Sequence, residues 1–336
     1  MAAVQQEPRV APDFDALVVG AGFAGLYLLQ RLRGMGLRVR VIEAGDGVGG
    51  TWYWNRYPGA RCDVQSLEYS YQFDNDLQYQ WQWSEKFATQ PEILRYANHV
   101  ADRYELRPDI EFNTRVEAAH WDDDAACWQV TTGDGSTRTA RHFVLATGCL
   151  SAANKPRFEG LEKYQGATYH TGQWPHEGVD FTGLRVGVIG TGSSGVQSIP
   201  LIAEQAAHLT VFQRTPSWCV PAYNGPIPAI DPAFKERVMA DYPAFRAENK
   251  TFVFGQNFQP NPKSATEVSP EEREETFERF WQRGGLPFMT AFSDLVINEE
   301  SNRHAREFVG RKIAERVKDP AVAKLLTPDT IIGCKR

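Results

Sequence analysis

DALVVGAGFAGLYLLQRLRGMGLRVRVIE, residues 15–43, is the stretch from which the rest can be read. A short apolar run, Ala16 to Val19, has the look of a buried strand. Gly20, Gly22 and Gly25 follow on GxGxxG spacing, and LYLLQRLR continues with helical periodicity. A second strand, RVRVIE, closes on Glu43, near the place roughly 20 residues on where a carboxylate bonds the ribose hydroxyls of an adenine dinucleotide. The three glycines have separate roles. Gly20 makes the tight turn, Gly22 lets the backbone approach the pyrophosphate, and Gly25 lets helix pack on strand. The helix then offers its free N–H groups to the phosphates.

The same grammar returns later. LRVGVIG is a strand, Gly190, Gly192 and Gly195 repeat the spacing, VQSIPLIAEQA is a helix, and HLTVFQR is the next strand. This unit ends on Arg214 rather than on a carboxylate, and a cation there suits a ribose bearing a 2′-phosphate. Two dinucleotide sites in one chain call for a reaction in which electrons pass between two cofactors, and FAD with NADPH is the natural pair. Between the units, HFVLATG (His142 to Gly148) runs a β-rich strand into a small-residue turn. The expected fold class is α/β, with two dinucleotide-binding, Rossmann-like domains, the second inserted in the first.

Composition agrees with a two-domain globular chain, since 336 residues exceed a typical domain of about 150 by a factor of two. A net charge of −6 with no basic patch argues against a nucleic-acid binder, and the longest apolar runs are too short to span a bilayer. The polar start, MAAVQQEPRVAPDFD, carries no apolar signal region, so a cytoplasmic location is expected. Cys62, Cys127, Cys149, Cys219 and Cys334 are scattered without a CxxC pair, which excludes thiol–disulfide reductase chemistry and gives no zinc site; all five read as reduced thiols. Aromatic clusters in TWYWNRYPG and YQWQW read as core or domain seam.

From Tyr223 to Pro328 the chain reads as a helical excursion. Ser269 is a plausible N-cap, with Pro270 at the first helical position and Glu272 completing a capping box. Ala305, Phe308, Ile313 and Val317 share one face of NRHAREFVGRKIAERVKD, with charges on the other, so this helix packs rather than docks a partner.

One further stretch, YQGATYHTGQWP, precedes the second glycine turn. It matches the pattern FxGxxxHxxxW followed by Pro or Asp at Tyr164, Gly166, His170, Trp174 and Pro175, with Tyr in the first place instead of Phe. Together with GGTWYWNRYPGARCDVQSLEYSY (Gly49 to Tyr71), ATG, GVIGTGSSGVQ, LTVFQRTP and the terminal GCKR, it makes the chain resemble the Baeyer–Villiger monooxygenases along essentially its whole length. The resemblance implies an enzyme that uses FAD, NADPH and O2 to insert one oxygen atom beside a ketone carbonyl, giving an ester or lactone through a flavin peroxide. It implies Arg336 as the catalytic cation, Asp63 as the carboxylate that orients it, and Lys335 as a contact to the NADPH 2′-phosphate. Gly50, Thr51 and Trp52 join Gly20, Gly22, Gly25 and Glu43 as cofactor contacts, and Ser193, Ser194 and Thr215 join Gly190, Gly192, Gly195 and Arg214. Tyr164, Gly166, His170, Trp174 and Pro175 are read as a domain-coupling motif, with His170 bonding backbone across a hinge.

The domains so implied are an FAD-binding domain at 1–150, an NADPH-binding domain at 151–330 with its helical part at about 223–328, and 331–336 as the start of a return to the first. Members of the resembled family are longer and continue after the KR pair. The sequence therefore reads as one cut short, with the return segment of its first domain missing and strand edges left exposed. Two other functions stay open: a flavin monooxygenase acting on nitrogen or sulfur, as in relatives whose version of the motif lacks the Trp, and a non-catalytic NADPH-binding remnant.

Overall fold

The computed structural model describes residues 11–227, 232–252, 255, 256 and 258–333. It divides into two compact units, Met1–Tyr57 with Gln90–Val179, and Pro58–Thr89 with Asp180–Arg336. The division is not a single cut near residue 150: a 32-residue excursion, 58–89, leaves the first unit and belongs to the second.

The first unit is built on β1 (Phe14–Val19), α1 (Phe23–Gly34), β2 (Val39–Ile42) and α2 (Thr51–Trp54). After the excursion, which contains α3 (Asn75–Gln80), it resumes with α4 (Gln90–Arg103), β3 (Ile110–Glu111), β4 (Val116–Asp122), β5 (Cys127–Thr132) and β6 (Thr137–Leu145). The strands form one six-stranded sheet ordered β3-β2-β1-β6-β5-β4. Its first four are parallel, and β5 and β4 extend it antiparallel. Ala16, Leu17 and Val18 are buried in succession, as expected of a parallel strand covered on both faces. Helix α4 buries Ile93, Tyr96, Ala97, Val100 and Ala101, a strict i, i+3, i+4, i+7, i+8 stripe.

In the second unit, β7 (Arg185–Ile189), α5 (Ser193–Gln205) and β8 (His208–Phe212) form a β–α–β turn whose strands pair in parallel, Arg185 opposite His208 through Ile189 opposite Phe212. Ile189 and Phe212 at the strand ends are 66% and 57% exposed, so this two-stranded sheet presents apolar surface within its unit. The helices follow: α6 (Pro232–Ala240), α7 (Tyr242–Asn249), α8 (Pro270–Arg283), α9 (Glu299–Arg316) and α10 (Pro320–Leu326). Phe277 and Trp281 on α8, Phe308 on α9, and Phe288 and Phe292 between them make an aromatic core in which Phe277 lies 5.2–5.9 Å from three other rings.

Ser269 does cap α8, its Oγ accepting the Glu272 N–H at 3.2 Å behind Pro270. The reciprocal half of the capping box does not form, because the Glu272 carboxylate accepts instead from Lys263 Nζ. A charged partner offers the carboxylate more than a backbone N–H does. Ser269→Ala is therefore expected to cost about 1 kcal/mol, seen as a lower urea midpoint at unchanged slope. An unaltered midpoint would show the cap to be idle.

Candidate functional site

The first glycine loop is held by contacts that leave no room for side chains. Gly20 donates its N–H to the Ile42 carbonyl at 2.8 Å and has φ +104°. A Cβ on Gly20 would stand 2.8 Å from the Ala146 carbonyl oxygen, and one on Gly25 would stand 1.8 Å from the Gly20 carbonyl oxygen. Ala146 opens the ATG turn and donates to the Val19 carbonyl at 2.9 Å, so the turn after β6 closes the back of the loop. Gly22 caps α1 without a side-chain hydrogen bond, leaving the helix N–H groups open to an anion.

Gly49 and Gly50 dock on this loop. Gly49 donates to the Ala21 carbonyl at 3.0 Å, and a Cβ on Gly50, at φ +54°, would come 2.8 Å from the Gly22 Cα. Gly50, Thr51 and Trp52 are thereby brought beside the glycine loop, with Trp52 buried and its carbonyl accepting from Gln90 Nε2. Glu43 is only 5% exposed, and its carboxylate takes the Ala21 N–H at 2.7 Å and the Gly45 N–H at 2.8 Å. A carboxylate has about four lone-pair sites, so these two bonds fix its direction while leaving acceptors for a ribose. The cradle is lined by backbone, with an anion-binding helix start and one placed carboxylate, and it fits an adenine dinucleotide.

The second loop repeats the device in its own unit. Gly190, at φ +99°, donates to the Phe212 carbonyl at 2.9 Å, and a Cβ on Gly195 would stand 2.5 Å from the Gly190 carbonyl oxygen. Gly192 caps α5 with no side-chain bond, and Ser193 and Ser194 are its first helical residues. Thr191 Oγ1 donates toward the Thr215 carbonyl at 3.3 Å, which holds the segment after β8 against the loop. Arg214, two residues beyond the strand, is exposed. This site too fits a dinucleotide.

Asp63 lies in the second unit, where Gln197 Nε2 donates to its Oδ1 at 3.1 Å. It borders a cavity of about 540 Å³ in that unit, whose wall joins apolar Leu67, Phe87 and Phe258 to the charged Lys86 and Arg283. Burial pushes the neighbouring Cys62 thiol up to about 11, so it is not a nucleophile at neutral pH. Lys335 and Arg336 lie outside the described residues.

The motif at 164–175 belongs to the first unit. The Tyr164 ring folds over Gly166, where a Cβ would meet its hydroxyl at 2.5 Å. His170 Nδ1 accepts the Gly172 N–H at 3.1 Å, a local cap on the turn Thr171–Gln173. Trp174 is buried and tilted against Tyr169, while Pro175 leads into His176. His176, not singled out in the sequence, sets its ring edge-on to Tyr53 at 5.1 Å, and the Tyr53 hydroxyl donates to Asp46. Burial and the Arg56 charge lower the His176 pKa, so it is neutral at pH 7. No periodicity marks such a contact, because it joins residues more than a hundred positions apart.

Comparison with known proteins agrees with this geometry. Residues 17–277 match the family described as Pyridine nucleotide-disulphide oxidoreductase. A Baeyer-Villiger monooxygenase of Pseudooceanicola batsensis is 46% identical over 322 residues, 95% of this chain and 58% of its own. A solved structure of an oxidized steroid monooxygenase bound to NADP is 53% identical at TM-score 0.90, covering 96% of this chain and 61% of that one. A crystal structure of OTEMO in complex with FAD and NADP is 42% identical at TM-score 0.91, covering 97% and 62%. The chain thus spans 58–62% of the length of these relatives. With two glycine-capped helix starts built on one plan and a family match over most of its residues, this protein belongs to the pyridine nucleotide-disulphide oxidoreductase family, and along nearly its whole length it is homologous to the Baeyer–Villiger monooxygenases.

Proposed function

We propose that this protein serves as an FAD- and NADPH-dependent monooxygenase of Baeyer–Villiger type, inserting one atom of O2 beside a ketone carbonyl to give an ester or lactone. The observation that carries the reading is the duplicated cradle, with the Glu43 carboxylate at one loop and Arg214 beyond the other. In this reading the first unit holds FAD through Gly20, Gly22, Gly25 and Glu43, with Gly50, Thr51 and Trp52 closing over it. The second holds NADPH at the start of α5, with Ser193, Ser194 and Thr215 lining the loop and Arg214 and Lys335 on the 2′-phosphate. Held there, FAD and NADPH would supply the redox and oxygen chemistry.

The chain's own part is binding and electrostatics. Arg336 is assigned the positive charge that stabilises anionic character developing at the reacting centre, with Asp63 as its partner carboxylate. Asp63 also borders the cavity of about 540 Å³, whose wall combines apolar and charged side chains. Tyr164, Gly166, His170, Trp174 and Pro175 couple the two units, and the motif ends a few residues before the second unit resumes at Asp180. No helix among the described residues is long and apolar enough to cross a membrane, and the cytoplasm, which supplies NADPH, is the proposed location.

The test is the visible spectrum of the purified protein, followed by NADPH consumption with and without a cyclic or aryl ketone. Bound flavin, ketone-stimulated NADPH loss and ester formation are expected. A colourless protein that binds NADPH without consuming it would favour a nucleotide-binding role alone. Arg214→Ala is expected to weaken NADPH about tenfold, or about 1.4 kcal/mol, and to leave NADH unchanged in a fluorescence titration. Equal loss for both nucleotides would remove Arg214 from the 2′-phosphate.

A further inference from the structure

Gln197 stands on α5, one turn beyond the second glycine loop, and its amide reaches the chain around Asp63. Nε2 donates to the Arg61 carbonyl at 3.2 Å and to Asp63 Oδ1 at 3.1 Å, while Oε1 accepts the Arg61 N–H at 3.4 Å. The approach is close because Gly59, at φ +78°, lets the backbone lie against α5; a Cβ there would stand 2.3 Å from the Gln197 carbonyl oxygen. The other side of the segment is fixed as well, since the Cys62 N–H donates to the Ala88 carbonyl at 3.0 Å and the Arg61 guanidinium pairs with Glu85 at 3.2 Å.

Only a glutamine amide fills this role. It carries two N–H donors and a carbonyl acceptor, so it satisfies both backbone groups of Arg61 and still has one N–H for the Asp63 carboxylate. Glutamate would keep the bond to the Arg61 N–H but would lose both donors and bring a like charge against Asp63. Alanine would lose all three bonds.

We propose that Gln197 is a positioning residue for Asp63, setting the direction of its carboxylate at the cavity wall and linking that direction to the helix that carries the second glycine loop. The proposal rests on the assignment of Asp63 to the reaction. Among the described residues, charged groups near Asp63 include Arg61, paired with Glu85, and Lys86, Arg237 and Arg283 on the cavity wall, Arg237 lying 3.6 Å from Glu248.

The experiment is a carbon-13 NMR titration of protein labelled at aspartate Cγ, with the Asp63 signal assigned by its loss in Asp63→Asn. Gln197→Glu, nearly isosteric and able to keep the Arg61 N–H bond, is expected to raise the Asp63 apparent pKa by ~1 unit. Gln197→Ala is expected to move the Asp63 chemical shift and to raise its pKa less. An Asp63 signal that titrates as in the wild type in both variants, each folded by circular dichroism, would overturn the proposal. The readout needs neither flavin nor ketone. Failure of the wild type to oxidise ketones would therefore strike the proposed function and leave the tether standing, whereas an indifferent Asp63 would strike the tether alone.

Discussion

Gly25→Ala is expected to destabilise the protein by about 3 kcal/mol or more and to abolish dinucleotide binding in the first unit. The added methyl would stand 1.8 Å from the Gly20 carbonyl oxygen, far inside van der Waals contact. That oxygen cannot retreat easily, because Gly20 is fixed by its N–H bond to Ile42 and by Ala146 behind it. The loop must open or α1 must slide off the sheet, and either movement spreads the N–H groups that would meet a pyrophosphate. Thermal unfolding of the variant should begin about 6–12 °C below the wild type. Gly34→Ala is the control: it lies in the same helix with nothing within 4 Å of its added Cβ, so it should be neutral or stabilise by up to about 1 kcal/mol. Equal melting of Gly25→Ala and wild type would mean that the loop yields freely, contrary to the packing described.

Glu43→Gln should cost about 3 kcal/mol. The carboxylate is buried and accepts two backbone N–H bonds, from Ala21 and Gly45, on its two oxygens. An amide of the same shape turns its NH2 toward one of those donors, leaving a buried N–H facing a donor and removing the charge from the other bond. Because Ala21 lies inside the glycine loop, the damage falls on the cradle itself. Retained dinucleotide would be held at least tenfold more weakly, read by flavin release on dilution. Stability and affinity equal to wild type would show that solvent, not the loop, satisfies this carboxylate.

Much of this cradle was legible in the sequence because its parts are neighbours along the chain. A buried strand, three glycines on fixed spacing and an amphipathic helix follow one another within residues 15–43, and each local preference agrees with the fold. The second loop was legible for the same reason, down to the matching helix starts at Gly22 and Gly192. The Ser269 cap was legible as well, but its box partner was not, since Glu272 met Lys263 from a separate segment. Nor did spacing reveal that residues 58–89 pack with the second unit, that Gln197 reaches Asp63, or that His176 rests on Tyr53.

The sequence by itself determined the two β–α–β turns, the need for glycine within them and the opposite charges at their strand ends, because these follow from backbone sterics and helix electrostatics acting over a few residues. Only the tertiary structure decided that the ATG turn backs the first loop, that Gly50 faces Gly22, and that Asp63 is tied to α5 by one glutamine. Those pairings join residues tens to more than a hundred positions apart, and a contact across such a span leaves no periodic trace in the chain; it exists only once both partners are held by structures of their own.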